Sequence, residues 1–598
     1  MIRVAVVAES RPESVRETLV RLAETSQATP GRLLAEVRLD FLSTFDAGVF
    51  ADPPLPIIAT CRRPRDGGKF RGPETARFEM LRAAAAAGAA YVDVESDVIE
   101  SAGSFGAAKI VASHHDFEIV PSDLDALATR LRAGPGVAMV KIAARLRTLT
   151  DIVAVAMTLR RHRGMLTFVG TGPTGLVTRV LASKLGSAWT YATAGSSEAS
   201  VGGTSVFDGI PSLEDLMRFY APGPDTPPSA TYAVVGSSAY ESIGPIAWNR
   251  FFRTAGVPAS YVSLTTPALV GLREAASMLG IRGFSVTTPF KAAALEAVDE
   301  VSPRARMIGA ANTLVHEHGK WVAYNTDADG IAAPTRAMLA TIGRDPRDVR
   351  ALVVGAGGAG RAAVFGLRSL GIDVTLAARD GWKAAPVAET FGIPCLGPRA
   401  IPDAGFDLVV NATPAGSTRD PDGDAVSLAW LRPGAIVFET NYAPRETRLT
   451  ASARNAGMHV IPGEAMYEAQ GLAQLHHFWA GLTPASSELW HEAVSWAFSR
   501  ATLFSSASAA AERPPSGAAW RKRSARGSSM RMFASPRSRA WRSRSSFAAK
   551  VGAPSGAPSP LCSIDCCRSR PPSSRPAAVW SSIRKTAFAC GRRGGSST

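Results

Sequence analysis

Over the first 220 or so residues of this 598-residue chain, short apolar runs alternate with segments of helical period, and that alternation limits the fold more than any other feature. The runs are IRVAVVA, LAEVRLDFL, PIIATCR, AAYVDVES, AKIVASHHD, GVAMVKIAA, MLTFVG and AWTYATAG. Between most of them lie helical patterns such as PESVRETLVRLAET, ETARFEMLRAAAAAG, DLDALATRLRAG, TLTDIVAVAMTLRRH and LVTRVLASKLG. Uninterrupted apolar runs suit parallel strands buried on both faces. An open doubly wound α/β sheet shares this local pattern, but eight β-then-α units in about 220 residues match the size of a compact (β/α)8 TIM barrel.

The Pro- and Gly-rich stretch APGPDTPPSAT (221–231) reads as a short linker. A second α/β region follows, and from residue 351 a new βαβ unit opens with ALVVGAGGAGRAAVFGLRSLGIDVTLAARD. The expected organisation is a barrel over 1–222, an α/β domain over 231–340, and a Rossmann domain over 341–497 from which the chain returns to the preceding domain near its end. Residues 500–598 are low in complexity and lack a hydrophobic period, which predicts a disordered basic tail.

Charge divides the same way. The chain carries 66 basic and 51 acidic residues, but residues 501–598 hold 18 of the basic and only two of the acidic ones, Glu512 and Asp565. The remaining 500 residues, with 48 basic and 49 acidic groups, are electrically ordinary, so neither nucleic acid nor a membrane is expected as a partner. Cys61 and Cys395 are the only thiols outside the tail, and two isolated thiols cannot make a disulfide framework. The four tail cysteines lack paired C-x2-C spacing and have no His among them, so no metal is expected. MIRVAVVAES carries a strand pattern rather than a signal peptide, LRAAAAAGAAYVDV is too short for a membrane span, and the expected location is cytoplasmic. Oligomeric state is not set by the sequence.

In a parallel barrel, chemistry sits at the C-terminal ends of the strands. Glu36 and Arg38 alternate in EVRLD and therefore share a face. Arg62 ends the next strand, with Asp66 in the DGG that follows; His114 and His115 end VASHHD, and Lys141 lies in the apolar AMVKIAA. A buried lysine whose pKa falls with desolvation can attack a ketone to form a Schiff base, whereas a lysine at a strand end can equally reach solvent. Convergence of a Lys, a His and several Arg on one barrel mouth favours the chemical reading.

The motifs EVRLDFL, TCRRPRDGGKF, YVDVES, VASHHDFE, VKIAAR and GLVTRVLASKLGSAWTYA occur in the order seen in type I 3-dehydroquinate dehydratase, which residues 1–220 resemble. The resemblance implies that Lys141 forms an imine with the substrate ketone and that His115 is the general base and then the acid for the departing hydroxide. It implies dehydroquinate-binding roles for Glu36, Arg38, Arg62, Asp66, Arg179 and Ser205, with Arg179 on the carboxylate. Asp66 stands where the family has Glu beside the catalytic His, and Gly209 replaces a lid Gln.

In the second half, Gly355, Gly357 and Gly360 of GAGGAG fit G-x-G-x-x-G between the strand ALVV and an alanine-rich helix, with Gly358 in the same turn. Backbone N–H groups at such a helix start hold a pyrophosphate. At the end of the next strand, Arg379 suits the 2′-phosphate of NADP, while Asp380 beside it keeps NAD as the less favoured choice. Upstream, GFSVTTPFKAAAL, IGAANTLV and AYNTDADG place Thr287, Lys291, Asn312 and Asp327 in short loops; a Lys with an Asp suits proton transfer coupled to hydride transfer, and a surface ion pair with helix caps is the plainer reading.

With NATPAG, TNYAP and GEAMYEAQGL, these motifs make residues 231–497 resemble shikimate dehydrogenase. The resemblance implies Lys291 and Asp327 as the catalytic pair, shikimate-binding roles for Ser242, Thr287, Asn312, Tyr442 and Gln470, and cofactor contacts from Asn411, Thr413 and Gly463. The family's Ser-x-Ser-Pro appears as Ser242-Ile243-Gly244-Pro245, and Ser285 replaces an Asn. The halves thus fit consecutive steps: 3-dehydroquinate is dehydrated to 3-dehydroshikimate, which NADPH reduces to shikimate. Gly244 and Asp380 keep open a quinate-oxidising enzyme using NAD. A metabolite-sensing regulator is disfavoured by the presence of Lys141, His115, Lys291 and Asp327.

Overall fold

A computed structural model describes residues 1–26, 33–195, 211–220, 228–403, 405–479, 481 and 483–511, the last eleven as helical backbone. Strands β1 (Ile2–Val7), β2 (Leu33–Arg38), β3 (Ile57–Thr60), β4 (Tyr91–Glu95), β5 (Lys109–Asp116), β6 (Val137–Arg145), β7 (Leu166–Thr171) and β8 (Trp189–Thr193) form one parallel sheet in which β8 returns to pair with β1. Between β7 and β8 the closure rests on Ala188 N–H donating to Leu166 O (2.9 Å) and Trp189 N–H donating to Thr167 Oγ1 (3.0 Å). The side-chain hydroxyl replaces a ladder acceptor, and the sheet is a barrel rather than an open, doubly wound one.

Strand alternation divides the barrel into two radial layers. Outward residues such as Ala5, Val37, Ala59, Val94 and Ile142 pack beneath helices, among them Leu149–Arg161, whose start is fixed by a capping box of Thr148 and Asp151. Inward residues change character along each strand. Val4, Leu34, Ile58, Val111, Met139 and Trp189 make an apolar floor, and one step further toward the C-terminal ends stand Glu36, Thr60, Asp93, Ser113 and Lys141.

The second sheet contains β9 (Ala230–Gly236), β10 (Ala259–Thr265), β11 (Ile281–Val286), β12 (Glu300–Val301), β13 (Thr313–Glu317) and β14 (Lys320–Tyr324), in the order β10-β9-β11-β13-β14-β12. β9 to β11 run parallel, and β13 is antiparallel to both its neighbours. The third sheet is wholly parallel: β15 (Arg350–Val354), β16 (Asp373–Ala377), β17 (Cys395–Leu396), β18 (Phe406–Asn411), β19 (Leu431–Glu439) and β20 (His459–Ile461), ordered β17-β16-β15-β18-β19-β20. That is the doubly wound Rossmann order, whose strand reversal opens a crevice beside β15. Barrel and second sheet share one hydrophobic core, and Thr174 Oγ1, in the loop after β7, donates to Thr265 O at the end of β10 (2.7 Å).

The last described element is the helix Pro484–Ala511, so the boundary expected at residue 500 falls inside a helix. The helix continues because its buried stripe of Trp490, Ala493, Val494, Ala497 and Phe498 anchors it against the second sheet's helices. Trp248 lies between Tyr261, stacked at 5.5 Å, and Trp490, at 4.5 Å between ring centroids. Ser205, Gly209 and the tail from residue 512 lie outside the described residues. Among the described residues no helix is long and apolar enough to cross a membrane.

A chain ending after Ala511 is expected to match the full chain in urea denaturation. One ending after Thr483 removes Trp490 and Phe498 together, where a single buried Trp→Ala costs about 3–5 kcal/mol, and it is expected to unfold at clearly lower urea.

Candidate active sites

At the barrel's C-terminal end, six buried ionisable side chains balance in charge: Glu36, Asp93 and Glu95 against Arg62, Arg77 and Lys141. Lys141 Nζ donates to Glu36 Oε2 (2.6 Å) and Asp93 Oδ2 (3.3 Å) and lies 4.4 Å from the centre of the Tyr191 ring. Arg62 donates to Asp93 Oδ2 (2.9 Å), and Arg77 to Glu95 Oε2 (2.6 Å). Burial alone raises a carboxyl's pKa, but Arg62, Lys141 and the Ser113 hydroxyl (2.6 Å) outweigh it and hold Asp93 at about 2.

His115 shares the inner face of β5 with Ser113, which is in register with Lys141. Its Nδ1 lies 3.1 Å from an Arg62 guanidinium nitrogen. Burial, then the charges of Arg62 and Lys141, push its pKa well below the usual histidine value. The ring is therefore neutral near pH 7, with Nδ1 accepting a hydrogen bond from Arg62, which can only donate. His114 points elsewhere, to Ser96 Oγ (3.2 Å). Arg38 is held by Asp40 (2.8 and 2.9 Å) and by Gly67 O (3.2 Å). Arg179, on the helix Leu176–Val180, is buried, which lowers its pKa to about 10.

A cleft of about 970 Å³ lies between the second and third sheets, lined among others by Ser242, Thr287, Lys291, Asn312, Asp327, Gly357, Gly358, Thr413, Tyr442, Gly463 and Gln470. Lys291 Nζ donates to Asp327 Oδ2 (2.6 Å), while Asn312 Nδ2 donates to Asp327 Oδ1 (2.9 Å) and Gln470 Oε1 (3.3 Å). Asp327 opens the helix Asp327–Thr341, where a carboxylate is favoured by the helix dipole. Ser242 adjoins the Tyr442 hydroxyl, and Ser285 Oγ is held between Tyr261 OH (2.6 Å) and Gln474 Oε1 (2.8 Å).

The chain matches the type I 3-dehydroquinase family over residues 11–220 and the shikimate dehydrogenase substrate-binding domain over 234–314. It is 34% identical to the chloroplastic bifunctional 3-dehydroquinate dehydratase/shikimate dehydrogenase of Arabidopsis thaliana, over 79% of this chain and 81% of that one. The chain belongs to the bifunctional dehydratase–dehydrogenase family. It is also 38% identical to the NADP-dependent shikimate dehydrogenase of Syntrophobacter fumaroxidans, over 41% of this chain and 85% of that one. The dehydroquinate dehydratase and shikimate dehydrogenase structure of S. pombe is 22% identical, covering 82% of this chain and 98% of that one, with a TM-score of 0.36.

Three expected site residues have surroundings that the sequence does not set. Lys141, in its apolar strand, sits between two carboxylates. Asp66 does not reach His115: its partners are Arg63 (2.8 Å) and Arg65 (3.6 Å), and Arg62 takes the place beside the imidazole. Asn411 does not line the cleft; it is buried, its amide donating to Glu439 (3.0 and 3.1 Å) and its oxygen accepting from Thr413 Oγ1 (2.7 Å), so it shapes the loop instead.

Other participants went unassigned from sequence. Asp93 and Glu95 in YVDVES alternate as Glu36 and Arg38 do, and that signal was sufficient to place them on the inner face. Tyr191, Lys383 and Trp382 gave no comparable signal. Lys383 and Trp382 line the cleft, Lys383 is paired with Asp380 (3.4 Å), and Arg379 is exposed just after β16.

The glycine turn fits a dinucleotide. Gly355 has φ +114°, and a Cβ there would come 2.8 Å from Ala412 O; a Cβ on Gly360 would overlap the Gly355 carbonyl, so helix and strand approach as closely as glycine allows. A Cβ on Gly357 would meet nothing, leaving backbone open where phosphates approach a helix N-terminus.

For His115, the unfolded chain takes up a proton near pH 6.5 and the folded chain only at lower pH. Stability is therefore full above the unfolded value and falls as the pH drops toward the folded one, by at most about 1.4 kcal/mol per pH unit. Histidine NMR is expected to show His115 neutral at pH 6. In Arg62→Gln its pKa is expected to rise, and an unchanged titration would refute the role given to Arg62.

Proposed function

We propose that this chain catalyses two successive reactions, dehydration of 3-dehydroquinate in the barrel (1–222) and NADPH-dependent reduction of 3-dehydroshikimate across the cleft between domains 231–340 and 341–497. The observation that carries the reading is Lys141 Nζ between Glu36 and Asp93 on the barrel's inner face, with neutral His115 two residues further along the adjoining strand.

In the barrel, Lys141 adds to the substrate ketone and water leaves, giving a protonated imine that draws electrons from the adjoining carbon. Glu36 and Asp93 are within reach to take the proton the ammonium must lose and to stabilise the iminium. His115 removes the proton from the adjoining carbon. The hydroxyl one carbon further departs, protonated by the same imidazole, and hydrolysis of the imine frees Lys141. Arg179 fits the substrate carboxylate as a buried guanidinium.

In the cleft, Gly355, Gly357, Gly358 and Gly360 frame the dinucleotide phosphates, while Arg379 and Lys383 suit a 2′-phosphate. Bound there, the cofactor supplies the hydride. Lys291 delivers a proton to the ketone oxygen, and Asp327, fixed by Asn312, holds the ammonium in line. Ser242, Thr287, Tyr442 and Gln470 bind the ring's polar groups. The chemistry requires no membrane, and the two isolated thiols of the described residues suit a reducing, cytoplasmic setting.

Borohydride added with dehydroquinate is expected to leave a reduced adduct on Lys141, detectable by mass mapping. Lys141→Met is expected to lose the adduct and at least about a hundredfold in dehydration rate, with the dehydrogenase rate unchanged. A full dehydration rate in that variant would overturn the barrel mechanism.

Gly244 favours a second reading, oxidation of quinate with NAD. A Cβ there would meet Ser242 Oγ at 3.0 Å and the Tyr261 ring at 3.1 Å, so the cleft is widened where the family carries a serine. Initial rates with shikimate or quinate, and NADP or NAD, decide between them. On the first reading, Arg379→Ala and Lys383→Ala each raise KM for NADP about tenfold and leave NAD unaffected.

A further inference from the structure

A second cavity, of about 610 Å³, lies where the barrel meets the second sheet, away from both reaction sites. Its polar lining is Lys184 from the barrel helix Ala182–Leu185, Arg282 from β11, Arg273 and Ser277 from the helix Leu272–Leu279, Ser229 before β9, and His316 on β13. None of its lining residues is acidic. Arg273 is neutralised by Asp299 (2.8 Å), whereas Lys184 and Arg282 have no carboxylate partner among the described residues.

The Lys184 amine is built into this junction. Its Nζ crosses from the barrel to donate to Thr231 Oγ1 on β9 (2.8 Å), and it lies over Gly280, where a Cβ would come 2.7 Å from Nζ. Burial, and then the charge of Arg282, push the Lys184 pKa down, so the half-buried amine and the exposed guanidinium face the same cavity with no carboxylate between them. Trp321, almost wholly buried beside His316 (5.2 Å between ring centroids), provides an apolar wall. A volume within the usual range for small-ligand sites, two cations without a carboxylate partner and the Ser277 hydroxyl together select one ligand class.

We propose that this junction cavity binds a small organic anion, carrying a carboxylate or phosphate, between Lys184 of the barrel and Arg282 of the second sheet. The anion would bridge the two catalytic halves, so its occupancy would stiffen their junction.

The test is calorimetric titration of the full-length protein, saturated with NADP, with citrate or inorganic phosphate against chloride at matched ionic strength. Saturable binding of either anion at about 1 mM or tighter is expected, citrate alone marking a carboxylate site and phosphate alone a phosphate site. In both Lys184→Met and Arg282→Ala that binding should weaken at least about tenfold, while both catalytic activities persist and show the variants to be folded. Arg282 is exposed, so its variant remains informative if Lys184→Met fails to fold. Absence of saturable binding, or equal binding by wild type and the Arg282→Ala variant, would overturn the proposal.

Discussion

The charge-balanced cluster around Lys141 is the constraint from which the barrel's chemistry follows. An unpaired charge buried to the degree of Asp93 or Arg62 would cost several kcal/mol, so none of the six groups is tolerable without the others. Their pairing fixes more than stability. Arg62 spans Asp93 on one side and His115 on the other, so the cation that satisfies a buried carboxylate also adds to burial in keeping the imidazole uncharged. A neutral imidazole and a lysine held between two carboxylates result from one alternating lattice of charges rather than from separate placement of each residue.

The dehydrogenase cleft depends on backbone proximity instead. A Cβ on Gly358 would come 2.8 Å from the Lys291 Cβ, so the first turn of the Rossmann helix packs on the stem of the proposed catalytic lysine. The same glycine-rich turn that leaves room for phosphates therefore also packs against Lys291, the proposed proton donor. On the other side, Asp327 begins a helix that packs on the Rossmann helix, as shown by Gly366, whose Cβ would sit 2.7 Å from Ala328 O. Lys291 and Asp327 thus face each other at 2.6 Å from segments that both pack on the Rossmann helix.

What the sequence disclosed follows from which interactions are local. Period and run length gave the barrel and the Rossmann unit, because strand alternation and the glycine turn are written within a few residues. Lys141, His115, Lys291 and Asp327 could be singled out as candidates because each lies in a compact motif. The partner of Lys141 was not: Glu36 is 105 residues away, and only barrel closure brings them to 2.6 Å. The protein partners of Asp66 and Asn411 were hidden for a related reason. Each occupies a motif position associated with ligands, yet nearer protein groups, Arg63 in one case and Glu439 in the other, take up its hydrogen-bonding capacity. The helix through Ala511 was missed because composition turns polar before the tertiary anchor at Trp490 and Phe498 runs out.

The two halves are more than tethered. Their shared hydrophobic core and the Thr174–Thr265 hydrogen bond join the loop after β7 to the end of β10, so the C-terminal edge of each sheet, where its chemistry lies, is at or near the joint. Helix Leu149–Arg161 adds a second tie through Arg160, which donates to Met278 O (2.8 Å). Contacts of this kind remove the independent rigid-body freedom expected of domains joined only by a Pro- and Gly-rich linker. Lys184 belongs to the same joint but differs from its neighbours. Thr174 is a neutral hydroxyl on a backbone carbonyl and Arg160 is an exposed guanidinium on another, whereas the half-buried Lys184 ammonium meets a single hydroxyl. At this cavity the junction brings Lys184 and Arg282 together with no acidic residue in the lining, and the proposed anion would supply the negative charge that the lining lacks.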